Sequence, residues 1–557
     1  MIRGAHRRTP GGGPFTVRPV LLRALSLAWL AALAWAPPAP AASTLRGPLA
    51  DSAASVLGPS PSRSTWGILA VSLDRGDTLL ALDPERRLIP GSNVKLFTLG
   101  AFLLRQGPGG TRATDLLARG KAHLHDDGRR VELKGDLVLR GSGIPDVAPL
   151  LSPGARGLLD SLALRLREAG LAKFEGTLWV DGSLFARAEL PRGWGIEDLP
   201  HGYGAPVTAI LANGNAASVV ATAGPSGVAL SLDPPDAPLT LTGSVGTANG
   251  DEAGWMRVDR DPGSSLVRVM GAVPRGGVIR RTVSFPDPDS AAGVMLLGAM
   301  RRAGIEVKAK VRPDAADLRA RHGWTGDAVP PEPAAAGTSS GGALPAAAAW
   351  RSVGDRRFTT VASLRSPSAT ELVTAVAAHS LNPEAEALLR LLDPAPSQKA
   401  PEPAMRELRG MLGQAGVDSA DVALADGSGL SPQNLATARS IVRWLTYMDR
   451  ESALPPGGFA ALLPTPGSKG TLERRLRTLR PDSILHAKTG TLTNVSALSG
   501  YISTPSGERV AFALLSNGNA RSVATARAGE DALVALLARF ERAPVAPARP
   551  PVWRIPR

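Results

Sequence analysis

The sequence predicts an α/β fold: an antiparallel sheet flanked by helices, a helical region, and a large, mostly β insertion forming additional domains. Three observations predict it. A strand-like hairpin near the start and three strand-like runs near the end let the two ends of the chain pair in one sheet. Helical periodicity dominates from about 367 to 448. Residues 106–350 break instead into short strands separated by turns rich in Gly, Pro and Asp.

The elements follow in order. Arg3, Arg7, Arg8, Arg18 and Arg23 precede the apolar run Leu25–Ala36, and Ala39-Pro40-Ala41 supplies a small-x-small site. The run is short for a bilayer span, so residues 1–41 read as a signal peptide, with an uncleaved anchor as the alternative. WGILAVSL (66–73) is a strand, DRGDT turns it, and LLALDPE returns as its hairpin partner. Pro90 and Gly91 stop the chain, and SNVKLFTLGAFLLR predicts a helix from about Ser92 to Arg105. Within 106–350, amphipathic helices are expected near 155–170 and 290–303, and 323–349 reads as a low-complexity loop. Further helices are expected at about 367–392, 402–416 and 440–448. ILHAKTG, VSALSGYIST and RVAFALLSNG form a meander, a helix covers about 521–540, and 541–557 is a proline- and arginine-rich tail. Residues 42–105 and 351–540 would thus form one discontinuous domain around the inserted 106–350.

Composition narrows the chemistry. The net charge of +14 is dispersed, and only 4% of residues are aromatic, which leaves no stacking platform for nucleic acid. A basic surface suits an anionic polymer or a membrane surface equally well. No cysteine is present, so thiolate nucleophiles and thiolate metal sites are excluded. Seven histidines show no ligand spacing, so neither a metal nor a cofactor is expected. After the leader, no apolar run reaches membrane length.

Three short motifs can carry a reaction. Ser92 and Lys95 stand three apart at a helix start, so both can face one cleft. A buried lysine of lowered pKa can take the proton of a serine hydroxyl. The same pair also fits an N-capping serine with a snorkelling lysine. In HSLN (379–382), Ser380 and Asn382 offer a second hydroxyl and an amide, or simply a cap before a helix. In AKTG (487–490), Lys488 and Thr489 can meet an anion, and Gly490 leaves room for a substrate backbone. An edge-strand lysine is the alternative there.

In chain order, S-x-x-K, S-x-N and K-T-G resemble the serine penicillin-recognising enzymes. The chain is identified more narrowly as a member of the D-alanyl-D-alanine carboxypeptidase/endopeptidase family, the class C low-affinity penicillin-binding proteins (serine peptidases of the S13 type). The flanks carry this resemblance: GDLVLRGSG (135–143), EGTLWVDGSLF ending at Phe185, GWGIEDLPHGYGAPVTAILANGN (193–215), LADGSGLSPQN (424–434), LLPTPGSKGTL (462–472) and AKTGTLTNVSALSGYI (487–502). It spans roughly residues 60–540.

The resemblance implies a fold of the serine β-lactamase/penicillin-binding transpeptidase-like type. It implies Ser92 as acylated nucleophile, Lys95 as general base, Ser380 as proton relay and Asn382 as its partner in the second motif. Lys488 and Thr489 would bind the substrate carboxylate beside Gly490, and the amides of Ser92 and Thr491 would form the oxyanion hole. The implied partners are peptidoglycan stem peptides ending in D-Ala-D-Ala, with β-lactams as covalent inhibitors. The implied location is the periplasm, the cell envelope or the exterior. A β-lactamase or esterase on the same scaffold and a non-catalytic wall-binding protein are the alternatives. The motifs leave oligomeric state open.

The sequence departs from the family at several positions. Leu381 replaces an aspartate and His379 a lysine in the second motif. In GIPD, Ile144 stands where an aspartate would be expected to grip the substrate's diamino acid, with Asp146 two residues on. Thr493 and Pro432 replace a glutamine and an arginine of some relatives. An altered cleft with retained chemistry is expected.

Overall fold

The computed structural model describes residues 44–542 except 59–63, 153, 186–189, 250–252, 326–347, 394–401, 455–456, 480–483 and 520–521. The expected leader (1–41), the low-complexity loop from 326 to 347 and the tail from 543 lie outside the described residues.

Helix α1 (Ala50–Leu57) precedes the hairpin β1 (Thr65–Ser72) and β2 (Thr78–Leu82), and then helix α2 (Val94–Gln106). The inserted region begins with β3 (Ala113–Leu124), β4 (Val131–Arg140), a short α3 (Ala148–Leu151), α4 (Leu158–Glu168) and β5 (Leu171–Asp181). Six short strands follow: β6 (Ala216–Gly224), β7 (Gly227–Asp233), β8 (Thr240–Thr247), β9 (Trp255–Arg260), β10 (Leu266–Val273) and β11 (Val278–Ser284). Then come α5 (Pro288–Arg302), β12 (Glu306–Arg312), α6 (Ala315–His322), α7 (Ala348–Arg351) and β13 (Thr359–Arg365). The helical region holds α8 (Ala369–His379), α9 (Asn382–Arg390), α10 (Glu402–Gln414), the two-residue β14 (Val422–Ala423) and β15 (Leu435–Ala436), and α11 (Ala438–Arg450). The chain closes with β16 (Ile484–Leu492), β17 (Val495–Ser503), β18 (Arg509–Asn517) and α12 (Val523–Leu537).

The two ends of the chain meet as expected, in an antiparallel sheet of order β16-β17-β18-β1-β2. Its period of two sorts residues onto opposite faces. Ala511, Ala513 and Leu515 of β18 face a core shared with α2, α8, α9 and α11. Val510, Phe512 and Leu514 face the core covered by α1 and α12. Strand β16 is at the edge of this sheet, and the S-x-x-K turn packs against it and β17.

The insertion is mostly β, with a five-stranded sheet of order β12-β5-β4-β3-β13 and two three-stranded sheets. Strand β13 lies beyond the expected insertion end at 350, yet it pairs antiparallel with β3. The composition break at 323–349 therefore falls inside the chain that completes this sheet.

Two helix expectations shift in detail. Ser92 lies in a single 3-10 turn, Gly91–Asn93, and the α-helix proper starts at Val94. The expected helix 367–392 is two helices, broken where Ser380 takes a left-handed conformation (φ 56°, ψ 41°) and Pro383 enters the first turn of α9. Both breaks place motif residues at helix ends rather than in helix interiors.

Helix α2 is the buried hub. Gly100 leaves no room for a Cβ, which would sit 2.8 Å from the Trp444 ring, and Trp444 Nε1 donates to the Leu96 carbonyl at 2.8 Å. Trp444→Ala removes this fully buried side chain and should cost about 3–5 kcal/mol. A lowered midpoint in denaturant unfolding would measure the loss.

Candidate active site

The S-x-x-K turn is held from several sides. Ile89 donates its amide to Asn517 Oδ1 (2.8 Å) and accepts from Asn517 Nδ2 (3.0 Å). Leu88 and Ala436 exchange backbone hydrogen bonds at 2.9 Å. Buried Asn93 donates to Ser499 Oγ on β17 at 3.0 Å. Strand β16 then presses against the turn. A Cβ on Gly490 would lie 2.5 Å from the Pro90 carbonyl oxygen and 3.2 Å from the Ser92 nitrogen. A Cβ on Gly91 would lie 3.1 Å from the Thr491 nitrogen. Glycine is required at 490 because the backbones touch, and this contact brings the Ser92 and Thr491 segments face to face.

Lys95 is fully buried. Its Nζ donates to Ser92 Oγ at 3.0 Å, Asn382 Oδ1 at 2.6 Å and the Ser428 carbonyl at 2.6 Å. Snorkelling is thus excluded, because the amine turns inward. The amide oxygen and the carbonyl can only accept, so they engage two N–H bonds of the amine. The third direction faces the Ser92 hydroxyl. In the neutral amine, that direction is the lone pair.

Burial pushes the Lys95 pKa down to about 8, partly opposed by the charges of Asp426, Glu386 and Glu384. Burial pushes the carboxyls the other way, Glu384 up to about 7 and Glu386 up to about 8. Lys95, Glu384 and Glu386 are each driven toward the neutral form, as coupled groups.

The loop LADGSGLSPQN presents the Ser428 carbonyl. Asp426 organises it by accepting the amides of Gly429 and Ser431, both at 2.7 Å, and Asn434 Nδ2 at 2.6 Å. Glu386 accepts the Gly427 amide at 2.7 Å. A Cβ on Gly429, whose φ is +80°, would run into the Gly91 carbonyl oxygen. Trp194 of the insertion donates to Asp426 Oδ2 at 2.9 Å, and Asn382 Nδ2 donates to the Tyr203 carbonyl at 3.1 Å. The insertion therefore buttresses both groups that orient Lys95.

Lys488 is also fully buried, and its Nζ donates to Ser380 Oγ and to the Thr489 carbonyl, each at 2.8 Å. Burial first, and then the charge of Lys95, holds its pKa well below the ordinary lysine value. The three motifs thus converge as Ser92–Lys95–Asn382 and Ser380–Lys488, with Thr489, Gly490 and Thr491 on the neighbouring strand.

The departures from the motif pattern fall in different places. Leu381 is partly buried and packs against the core beside α8 and α9. Pro432 and Thr493 are exposed. Ile144 is a core residue, 6% exposed, in the same cluster as Val147, Phe185 and Leu391. Where the resemblance would put a gripping aspartate, an apolar residue completes packing. Asp146 accepts the Leu158 amide at 2.7 Å, at the start of α4.

Sequence reading assigned no role to Tyr203, Trp194, Asp426, Glu386 or the Ser428 carbonyl. Two of these act through backbone oxygens, which leave no trace in side-chain identity.

Residues 49–322 and 339–540 match the model of the family described as D-Ala-D-Ala carboxypeptidase 3 (S13). The chain belongs to that family. Over 494 residues, 85% of this chain and 81% of the relative, it is 28% identical to a D-alanyl-D-alanine carboxypeptidase of Actinomadura sp.. It is 25% identical over 476 residues to the D-alanyl-D-alanine carboxypeptidase DacB of Haemophilus influenzae, covering 82% of this chain and 86% of that one. The crystal structure of penicillin binding protein 4 from Haemophilus influenzae superposes with a TM-score of 0.65 at 22% identity. That likeness covers 88% of this chain and 99% of the other, and fixes the fold as the penicillin-binding, β-lactamase-like type. A form of the same protein complexed with a β-lactam superposes at 0.61.

A pH dependence follows for this S13 family member. With Lys95 near 8, its neutral fraction rises about tenfold per pH unit below that value and saturates above it. The rate of covalent labelling by a fluorescent penicillin should climb accordingly from pH 6 to 8 and then level. A profile flat over that range would refute a basic role for Lys95.

Proposed function

We propose that the chain is a serine-type D-alanyl-D-alanine carboxypeptidase that also cleaves D,D-cross-links of peptidoglycan. The single observation that carries the mechanism is the Lys95 amine, fixed by Asn382 and Ser428 with its third direction on Ser92.

Ser92 Oγ attacks the carbonyl carbon of the penultimate D-alanine while Lys95 takes its proton. The carbonyl oxygen becomes an oxyanion held by the amides of Ser92 and Thr491. The C–N bond then breaks, and the nitrogen of the departing D-alanine takes a proton through Ser380, which Lys488 holds in place. The stem peptide is left as an ester on Ser92. The proton taken by Lys95 passes back to Lys488; the neutral Lys95 then takes a proton from water, which adds to this ester, and returns it to the serine oxygen as the shortened peptide leaves. When the leaving amine belongs to a neighbouring stem, the same steps open a cross-link.

A β-lactam forms the same ester but keeps its leaving nitrogen tethered, which supports its role as a covalent inhibitor. Family membership and the resolved relative with a bound β-lactam support this reading. Export to the cell envelope fits the sequence of the leader and the substrate. No described helix is long and apolar enough to cross a membrane.

Ser92→Ala should abolish both penicillin labelling and D-alanine release, and Lys95→Ala should reduce acylation by at least about three orders of magnitude. Circular dichroism checks that both variants keep the fold. Release of D-alanine from a pentapeptide, assayed beside a purified cross-linked dimer, separates carboxypeptidase from endopeptidase action. Rapid turnover of penicillin without D-alanine release would favour a β-lactamase instead.

A further inference from the structure

The leaving residue in either proposed reaction carries an α-carboxylate beside the scissile nitrogen. Lys488 is the lysine that the motif offers for this charge, yet it is fully buried and donates to Ser380 and the Thr489 carbonyl. Both of these bonds stay inside the protein, and burial together with the charge of Lys95 disfavours a full charge on this amine, which weakens its hold on an incoming anion.

The outer end of the site differs. Thr489 and Thr491 are two apart on β16, so their side chains share a face of the strand. Arg527 of α12 donates from Nη2 to Thr491 Oγ1 at 3.0 Å, and it is exposed. Helix α12 is fixed at this point. Ser522 caps it, and Arg475 donates to Glu530 at 3.0 Å, to Asp531 at 2.5 Å and to the Arg527 carbonyl at 3.5 Å. Arg475 is thus engaged by both carboxyl groups, and burial pushes that of Glu530 up to about 7. Among the described ion pairs, none engages the Arg527 guanidinium. One of its five N–H donors meets Thr491, which leaves a fork able to take both oxygens of a carboxylate.

We propose that Arg527 is a specificity-determining residue that grips the α-carboxylate of the leaving D-amino acid, at the end of the row formed by Thr489 and Thr491. This rests on the D-alanyl-D-alanine peptidase reading and assigns that site its preference for a free carboxylate. The same grip serves a terminal D-alanine and a cross-linked D-centre, because both keep that carboxylate free.

The test compares a peptide ending in D-Ala-D-Ala with the same peptide ending in D-alaninamide, using the full chain. The wild type should favour the acid, with a preference that shrinks as salt is added. Arg527→Ala should lower kcat/KM on the acid by about ten- to a hundredfold and lower the acid-to-amide ratio by the same factor. Arg527→Lys should restore part of that ratio. An unchanged ratio in Arg527→Ala overturns the proposal, whether both substrates lose equally, as a structural role predicts, or neither loses. A wild type that cleaves neither peptide overturns the peptidase reading, and the grip falls with it.

Discussion

The whole site depends on how a lysine amine can be buried without a counter-ion in direct contact. Taking Lys95 out of water costs several kcal/mol unless its hydrogen-bonding capacity is met. Two acceptors that cannot donate, Asn382 Oδ1 and the Ser428 carbonyl, meet most of it, and the Ser92 hydroxyl meets the rest. Burial lowers the pKa, and the same two acceptors aim the lone pair. Stability of the buried amine and reactivity of the serine are therefore one geometric requirement, and distant parts of the chain exist to supply the acceptors.

Each acceptor is held by a structure larger than its motif. Asn382 opens α9 after a left-handed Ser380, and its amide nitrogen is occupied by the Tyr203 carbonyl, which fixes the amide so that its oxygen faces Lys95. Ser428 is presented by a loop wound around Asp426, which in turn receives the indole N–H of Trp194. Arg390, further along α9, donates to the Val207 carbonyl at 3.2 Å. The insertion thus meets the catalytic half at three polar points within or beside the acceptor shell. A separate accessory lobe would not need contacts of this kind. Their positions make the insertion part of the apparatus that orients the base.

How much of this was legible in the sequence depends on the physical scale of each feature. The closing meander and the early hairpin were legible because alternation is a local property, and their pairing followed from a fold-level rule. The convergence of Ser92, Lys95, Ser380, Asn382 and Lys488 was legible only through motif order, since residues hundreds of positions apart carry no periodic link. The break inside 367–392 was legible in HSLN, which reads as a cap ahead of a helix, but the left-handed Ser380 that makes it is a backbone conformation at one residue, which apolar spacing does not show. Strand β13 was missed because a low-complexity stretch just before it looked like the end of the insertion. At Ile144 the departure was visible in the sequence, but that the position belongs to the apolar core follows only from tertiary packing.

The two buried lysines also set the order of proton transfers in the proposed reaction. Lys95 sits against Ser92, while Lys488 sits against Ser380, so each amine serves a different hydroxyl. When Lys95 gains the proton of Ser92 it becomes charged, and that charge acts to lower the pKa of Lys488, beside burial. Lys488 then gives up a proton more readily, and its donor contact leads through Ser380 toward the leaving nitrogen. Deprotonation of the nucleophile and protonation of the leaving group are coupled electrostatically without a direct bond between the amines. Two lysines of depressed pKa, each on its own hydroxyl, divide the task.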